Sequence, residues 1–281
     1  MLYTFMSDST AIATHLLAVD SHVHLYDWMN LVPMLDAALA SFTDAVSTHK
    51  AHTPFSGLLA LTEPLNRDTF PKLRAQAHAE QPCRLSKDWI LEPTEESLSL
   101  AAYHSSGVRI FLLSGQQVVT REKLEVLAIA CEQTIPERQS LKETIQAVRV
   151  RDGYPILPWG VGKWLFGRGK LISRTITENG TAPLGIGDNG GRPSFWCKVS
   201  QFDQAKRYDL PLLRGSDPLP VKSSTRSAGS FGTLLCCRFD SAKPAESLLA
   251  ALRGKSCERI DFGDPESPLA FLKTQVALRL G

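Results

Sequence analysis

Short apolar runs alternate with stretches of helical periodicity along most of this chain, and that alternation limits the fold more than any other feature. Leu16 to Leu25 (LLAVDSHVHL) reads as a buried strand, and Leu31 to Val46 follows with apolar residues at helical spacing. Phe55 to Leu61 and then Arg67 to His78 repeat the step. In the middle, Trp89 to Leu91, Ser97 to Tyr103, Val108 to Leu113 and Leu124 to Ala130 are all strand-length. The first three lie too close together for helices between them, which predicts a hairpin insertion. Ser140 and Glu143 form a Ser-x-x-Glu capping box that opens a helix to Val150, before a strand from Tyr154 to Leu157. Pro183 to Ile186 and Leu210 to Leu213 are further strands, with a helix from Ser200 to Tyr208 between them. Ala245 to Leu252 and Pro268 to Leu280 read as closing helices.

Strands alternating with helices predict a parallel sheet, and this many steps favour closure into a barrel. The expected fold is α/β: a distorted, TIM-like β/α barrel of about seven parallel strands, formed by residues 1–281 as one domain. With 43% hydrophobic and 21% charged residues, the chain has the material to fill such a core. A formal charge of +2 supplies no field that would point to nucleic acid or a membrane surface. The six cysteines show no C-x-x-C spacing and read as reduced thiols, with Cys236-Cys237 as buried structural residues of an apolar run. The first twenty residues lack a basic segment followed by a long apolar one, and no run of about 18 apolar residues occurs. A cytoplasmic protein is expected.

Catalytic residues of a β/α barrel lie at the carboxyl ends of strands. Polar residues at those ends are Asp20, His22 and His24; Thr62 and Glu63; Gln116 and Gln117; Trp159, then Lys163; Asp188, Asn189 and Arg192; and Arg214, Ser216 and Asp217. His22 and His24 fall at i and i+2, so both imidazoles project from one face of the strand and can share a metal ion. The plainer reading is two partly buried histidines hydrogen-bonded to neighbours. Lys163, Arg168, Arg192 and Arg214 can form a cationic pocket for a small anionic molecule, or stand as solvated charges. Trp159 and Trp164 read as packing at the barrel rim.

At these strand ends the sequence resembles the polymerase and histidinol phosphatase (PHP) superfamily. Its members carry a His-x-His after the first strand, as in His22-Val23-His24. Ala60-Leu61-Thr62-Glu63-Pro64 stands where the family has Thr-Asp-His, and Gly115-Gln116-Gln117-Val118 where it has Gly-x-Glu-Val. Leu157-Pro158-Trp159 replaces Ala-His-Pro, and Gly215-Ser216-Asp217-Pro218-Leu219 replaces Gly-Ser-Asp-x-His. The resemblance runs through about three-quarters of the chain in the family's order. It implies a metal-dependent hydrolase, most simply a phosphoesterase. Pro64, Gln117, Pro158 and Leu219 occupy ligand positions, however, and none of the seven histidines lies beyond His104. The histidine-rich multinuclear cluster is thereby excluded.

What the resemblance leaves is one site, with His22, His24, Asp217 and Glu63 as metal ligands for Zn, Mn or Fe, one ion or none. Asp217 and Glu63 are also the expected catalytic carboxylates. Gln117, Trp159, Lys163, Asp188, Arg192 and Arg214 are expected to line the ligand pocket. The amidohydrolases, a rival barrel family with a first-strand His-x-His, fit less well, because they expect later histidines or a bridging lysine. Two other functions stay open: a catalytically inactive PHP-like protein that binds a small anion or a protein partner, and a metal-independent hydrolase using Asp217 as base. Oligomeric state is not legible.

Overall fold

A computed structural model describes residues 15–26, 30–49, 54–66, 68–131, 134–219, 226–254 and 257–280. Most of the N-terminal stretch read for a leader, and Arg67 at the start of the second expected helix, lie outside these residues. The chain opens with β1 (His15–Val23), α1 (Leu31–Thr48), β2 (Phe55–Glu63) and α2 (Thr69–Ala79). It continues through β3 (Cys83–Arg84), β4 (Trp89–Pro93), β5 (Ser99–His104), β6 (Arg109–Val119) and β7 (Glu125–Ile129). Then come α3 (Leu141–Arg149), β8 (Tyr154–Pro158), α4 (Phe166–Glu178), β9 (Gly185–Asn189), α5 (Ser200–Arg207) and β10 (Leu212–Gly215). Last are β11 (Gly232–Cys237), α6 (Pro244–Arg253), β12 (Glu258–Phe262) and α7 (Pro268–Leu280). Ser140 caps α3 through the expected box, its side chain accepting from the Glu143 backbone while Glu143 reaches back to Ser140.

Nine strands among the described residues hydrogen-bond in the order β10-β9-β8-β7-β6-β2-β1-β11-β12, and β3, β4 and β5 form a side branch. The result is a nearly closed, barrel-shaped sheet. The expected set of about seven parallel strands needs correction, because the sheet is mixed. Pairs β1–β2, β2–β6, β8–β9 and β9–β10 are parallel, but β7 is antiparallel to both neighbours and β11 is antiparallel to β1. The reason at β7 is local. Residues 120–124 connect it to β6 through a tight turn in which the Thr120 N–H bonds the Leu124 carbonyl at 2.8 Å, and Lys123 takes φ +60. A parallel crossover needs about a dozen residues or more, so a connection this short must reverse the chain.

Two strands are shared along their length. The first half of β6 pairs with β5 and the second with β7, which gives the β4–β5–β6 meander its place as the expected insertion. Likewise β1 pairs with β11 over residues 15–19 and then meets β10. There Ser21 Oγ donates to the Arg214 carbonyl at 3.0 Å, and the Asp217 N–H donates to the His22 carbonyl at 2.8 Å. This seam draws the β10 end of the sheet back onto β1. It demands glycine at 215, where an added Cβ would lie 2.4 Å from the His22 Cβ.

Alternate residues of each strand face opposite ways, and the core divides accordingly. Leu17, Val19, Leu58, Ala60, Phe111, Leu113, Ile156 and Leu213 fill one cluster with Leu248, Leu249 and Leu252 of α6. Leu16 and Ala18 point the other way, onto Leu35, Ala38 and Phe42 of α1. A third cluster joins β7–β9 to α3, α4 and α5. Among the described residues, no helix is long and apolar enough to cross a membrane.

Candidate metal centre

The pairing of β1 with β2 shifts register between Asp20 and Val23, a bulge at the rim just where the two histidines emerge. Bulges at barrel rims re-aim side chains. Here His22 Nε2 lies 3.1 Å from His24 Nε2. Asp217 Oδ1 stands 3.7 Å from the first nitrogen and 3.4 Å from the second. Among the described residues, His22, His24 and Asp217 are the histidine, cysteine and carboxylate side chains grouped closely enough to hold one metal ion. Gln117 Oε1 adds a fourth donor, 2.9 Å from His22 Nε2. A triangle with edges of 3.1, 3.4 and 3.7 Å has a point about 2 Å from every corner, the length of a zinc–imidazole or zinc–carboxylate bond. The donors present therefore fit a single divalent ion.

The surrounding groups hold this triangle in place. Asp217 has φ +46, in the left-handed region that Asp tolerates better than most residues. Its N–H is tied to His22, and Asn189 Nδ2 donates to its Oδ2 at 2.7 Å. Arg226 Nη1 lies 3.9 Å from the same oxygen and donates to the Ser216 carbonyl and to Asn189 Oδ1, each at 3.2 Å. On the other side, Gln117 Nε2 points to Glu125 Oε1 at 3.4 Å, and Glu125 is ion-paired with Lys163. The amide nitrogen facing a carboxylate turns Gln117 Oε1 toward the histidines. Beneath them, Asp20 is fully buried and accepts from the backbone N–H groups of His22, Ser216 and Gly229 and from Ser216 Oγ, at 3.2, 2.9, 2.8 and 2.5 Å.

Proton affinities follow from these contacts. Burial pushes the Asp217 carboxyl up, but His22, His24 and Arg226 outweigh it and hold Asp217 well below the usual carboxylate range. Burial lowers His22 by more than Asp217 and Glu125 raise it, and the neighbouring His24 lowers it further. Burial also opposes protonation of His24, yet the hydrogen bond and charge of Asp217, with Glu63 and Glu125, carry it above the ordinary histidine value. Burial lifts Asp20 to about 6 despite its four hydrogen bonds. His24 Nδ1 is buried and has no hydrogen-bond partner among the described residues, which offer this imidazole none of the outer support that metal-bound histidines usually have.

The remaining expected residues divide. Gln117 contacts His22, and Lys163 reaches the cluster through Glu125. Glu63 is outside the ligand triangle: Oε1 accepts the Leu25 N–H at 3.0 Å and Oε2 receives Thr69 Oγ1 at 3.5 Å. It pins the chain just beyond His24 and contributes its charge to that histidine. Trp159 is buried in the outer helical cluster, edge-on to Trp196. Asp188 and Arg192 form a buried pair, with two contacts of 2.7 and 2.9 Å. Arg214 packs over Phe231 and donates to the Phe262 and Gly263 carbonyls. These guanidinium groups already serve buried carboxylates and carbonyls.

Four supporting residues stand outside the expected site. Asp20 and Asn189 are visible as polar strand ends, the former as an acid within an apolar run. Glu125 is hidden because β7 runs backwards, which brings the start of that strand to the rim where its neighbours end. No sequence signal marks Arg226.

No protein-family model matches the chain, and no curated protein matches it. Its structure is similar to the crystal structure of PsfC from Pseudomonas syringae PB-5123, with a TM-score of 0.54 and 14% sequence identity. The match covers 95% of this chain and 100% of that one. The likeness is one of fold.

Proposed function

We propose that this chain is a metal-dependent hydrolase with a reduced, single-ion site, acting on a small anionic ester such as a phosphomonoester. The observation that carries the reading is the triangle of two imidazole nitrogens and one carboxylate oxygen around a common point about 2 Å from each. His22, His24 and Asp217 would hold the ion, with Gln117 Oε1 as a neutral fourth donor. The same residues carry the resemblance to the PHP superfamily. The mixed N/O set suits Zn, Mn or Fe. A divalent ion held there supplies Lewis acidity toward a phosphoryl oxygen and toward water.

The chain's own groups have defined tasks in this reading. Asp217 stays ionised beside the histidines, and Asn189 and Arg226 keep its carboxylate oriented. Arg226 is committed to the Ser216 carbonyl and Asn189, so its charge acts on the site through Asp217. Asp217 binds its proton too weakly to serve as an effective general base near neutral pH, which counts against metal-independent hydrolysis. A non-catalytic, anion-binding pocket is the second reading. It is favoured by the missing support at His24 Nδ1 and by Pro64, Pro158 and Leu219 at the family's ligand positions.

Protein purified without a chelating tag and dialysed against Zn or Mn should retain close to one equivalent per chain. His22→Ala/His24→Ala should retain none and keep its circular dichroism spectrum. Loaded protein should release phosphate from a generic phosphomonoester. Two or three tightly held ions would show that the ligand set is wrong. No ion and no activity would leave the non-catalytic pocket.

A further inference from the structure

The antiparallel pairing of β11 with β12 sets Gly232 against Phe262 and proceeds to Cys236 opposite Glu258. One further step of that register places Cys237 opposite Cys257. The two side chains share a face of the ribbon there and pack against one cluster, Cys237 buried within it and Cys257 half-buried against it. The Cys257 thiol donates to the Glu258 carbonyl at 3.5 Å, and the Cys237 thiol and the Arg259 guanidinium lie near its sulfur. Opposed residues of an antiparallel pair have Cα atoms about 4.5–5.5 Å apart, inside the span of about 4.4–6.8 Å that a disulfide bridges without backbone movement.

The thiols differ in kind. The neighbouring Cys237 thiol, outweighing burial and helped by Arg259, holds Cys257 below the ordinary thiol range. The contact with Cys257, then burial, holds Cys237 above it. One partly accessible thiol, the more acidic of the two, thus faces one enclosed thiol, the arrangement of an attacking and a resolving cysteine.

We propose that Cys257 is a peroxide-reactive thiol and that Cys237 resolves it into a reversible cross-strand disulfide. The Cys257 thiolate attacks one oxygen of hydrogen peroxide, the O–O bond breaks, and hydroxide leaves and takes up a proton as water. The Cys257 sulfenic acid is then attacked by the Cys237 sulfur. The S–O bond breaks, and the departing hydroxide carries off the Cys237 proton as a second water. Two thiols are oxidised, one peroxide is reduced, and a dithiol reductant reverses the change. This site is separate from the His22, His24 and Asp217 cluster and does not depend on its function.

The test uses the full chain, reduced, exposed to stoichiometric hydrogen peroxide, blocked with an alkylating reagent and mapped by mass spectrometry. The expected product is about 2 Da lighter, contains a Cys237–Cys257 linked peptide, and reverts with dithiothreitol. Cys257→Ser should form no such link, and Cys237→Ala should leave a sulfenic acid at Cys257 that dimedone traps. The wild-type map decides the matter even if Cys237→Ala fails to fold. Progression of Cys257 to sulfinic acid with Cys237 still free, or a bridge to Cys236 instead, overturns the proposal.

Discussion

Replacing Gly215 with alanine should loosen the barrel seam and the candidate metal centre together. The new Cβ would lie 2.4 Å from the His22 Cβ, 2.7 Å from its N and 3.0 Å from its Cα. Ordinary carbon–carbon contacts sit at about 3.5–4.0 Å, so β10 and β1 must separate by roughly 1 Å. Overpacking of this kind costs about 1–3 kcal/mol. With an unfolding entropy of about 2.1 cal/mol/K per residue, a chain of this length should melt about 2–5 °C lower. The same displacement exceeds the ~0.2 Å within which ligand distances must stay, so metal retention should fall by more than tenfold. Gly167→Ala is the control, because its Cβ would meet nothing within 4 Å and it lies in α4. Calorimetry and metal analysis on both variants provide the readout. A Gly215→Ala protein that melts with the wild type would show that the seam yields freely. One that melts lower but holds metal as tightly would show that the seam does not position His22.

Three further perturbations separate the supports of the site. Asp20→Asn presents an amide NH2 to backbone donors that now meet a carboxylate, and should cost about 1–3 kcal/mol in urea unfolding; an unchanged midpoint would remove Asp20 from the seam. Arg192→Ala strands the buried Asp188 carboxylate and should cost about 3–5 kcal/mol, whereas Asp188→Leu/Arg192→Met should recover most of that loss; equal losses in both would contradict a buried ion pair. Lys163→Met removes the cation behind Glu125 and should weaken Zn binding about tenfold, measured by competition with a chromophoric chelator, with little change in melting temperature. Unaltered affinity would detach Lys163 and Glu125 from the orientation of Gln117.

The histidine pair was legible because two rules coincide: alternate residues share a face, and polar groups at the ends of buried strands converge on one rim. The same rules do not settle which way Asp188 points. Its neighbour Asn189 turns to Asp217, while Asp188 turns to Arg192 on the opposite face, and no property of a GIGDN segment fixes which of two adjacent polar residues points inward. Strand direction was also beyond reach, since an apolar run such as EVLAI looks the same for either sense. The helix α4 escaped notice because Gly167, Gly169 and several β-branched residues depress its propensity, leaving Ile172 and Ile176 as a thin apolar seam. Arg192 and Arg214 illustrate a more general difficulty: a basic residue after a strand reads identically whether it faces solvent, a ligand or a buried carboxylate.

Ser21 and the Arg214 carbonyl that it contacts are 193 positions apart, and His22 and Gln117 are 95 apart. No fragment emerging from a ribosome can build the cluster early, because Asp217 is made only after β10, long after the imidazoles that follow β1. Contacts this remote are made late, once the chain has met the entropic cost of bringing distant segments together. Whatever ligand occupies the finished cluster therefore clasps the first strand to the tenth. Its presence should be felt chiefly as slower opening of the completed molecule rather than as faster folding.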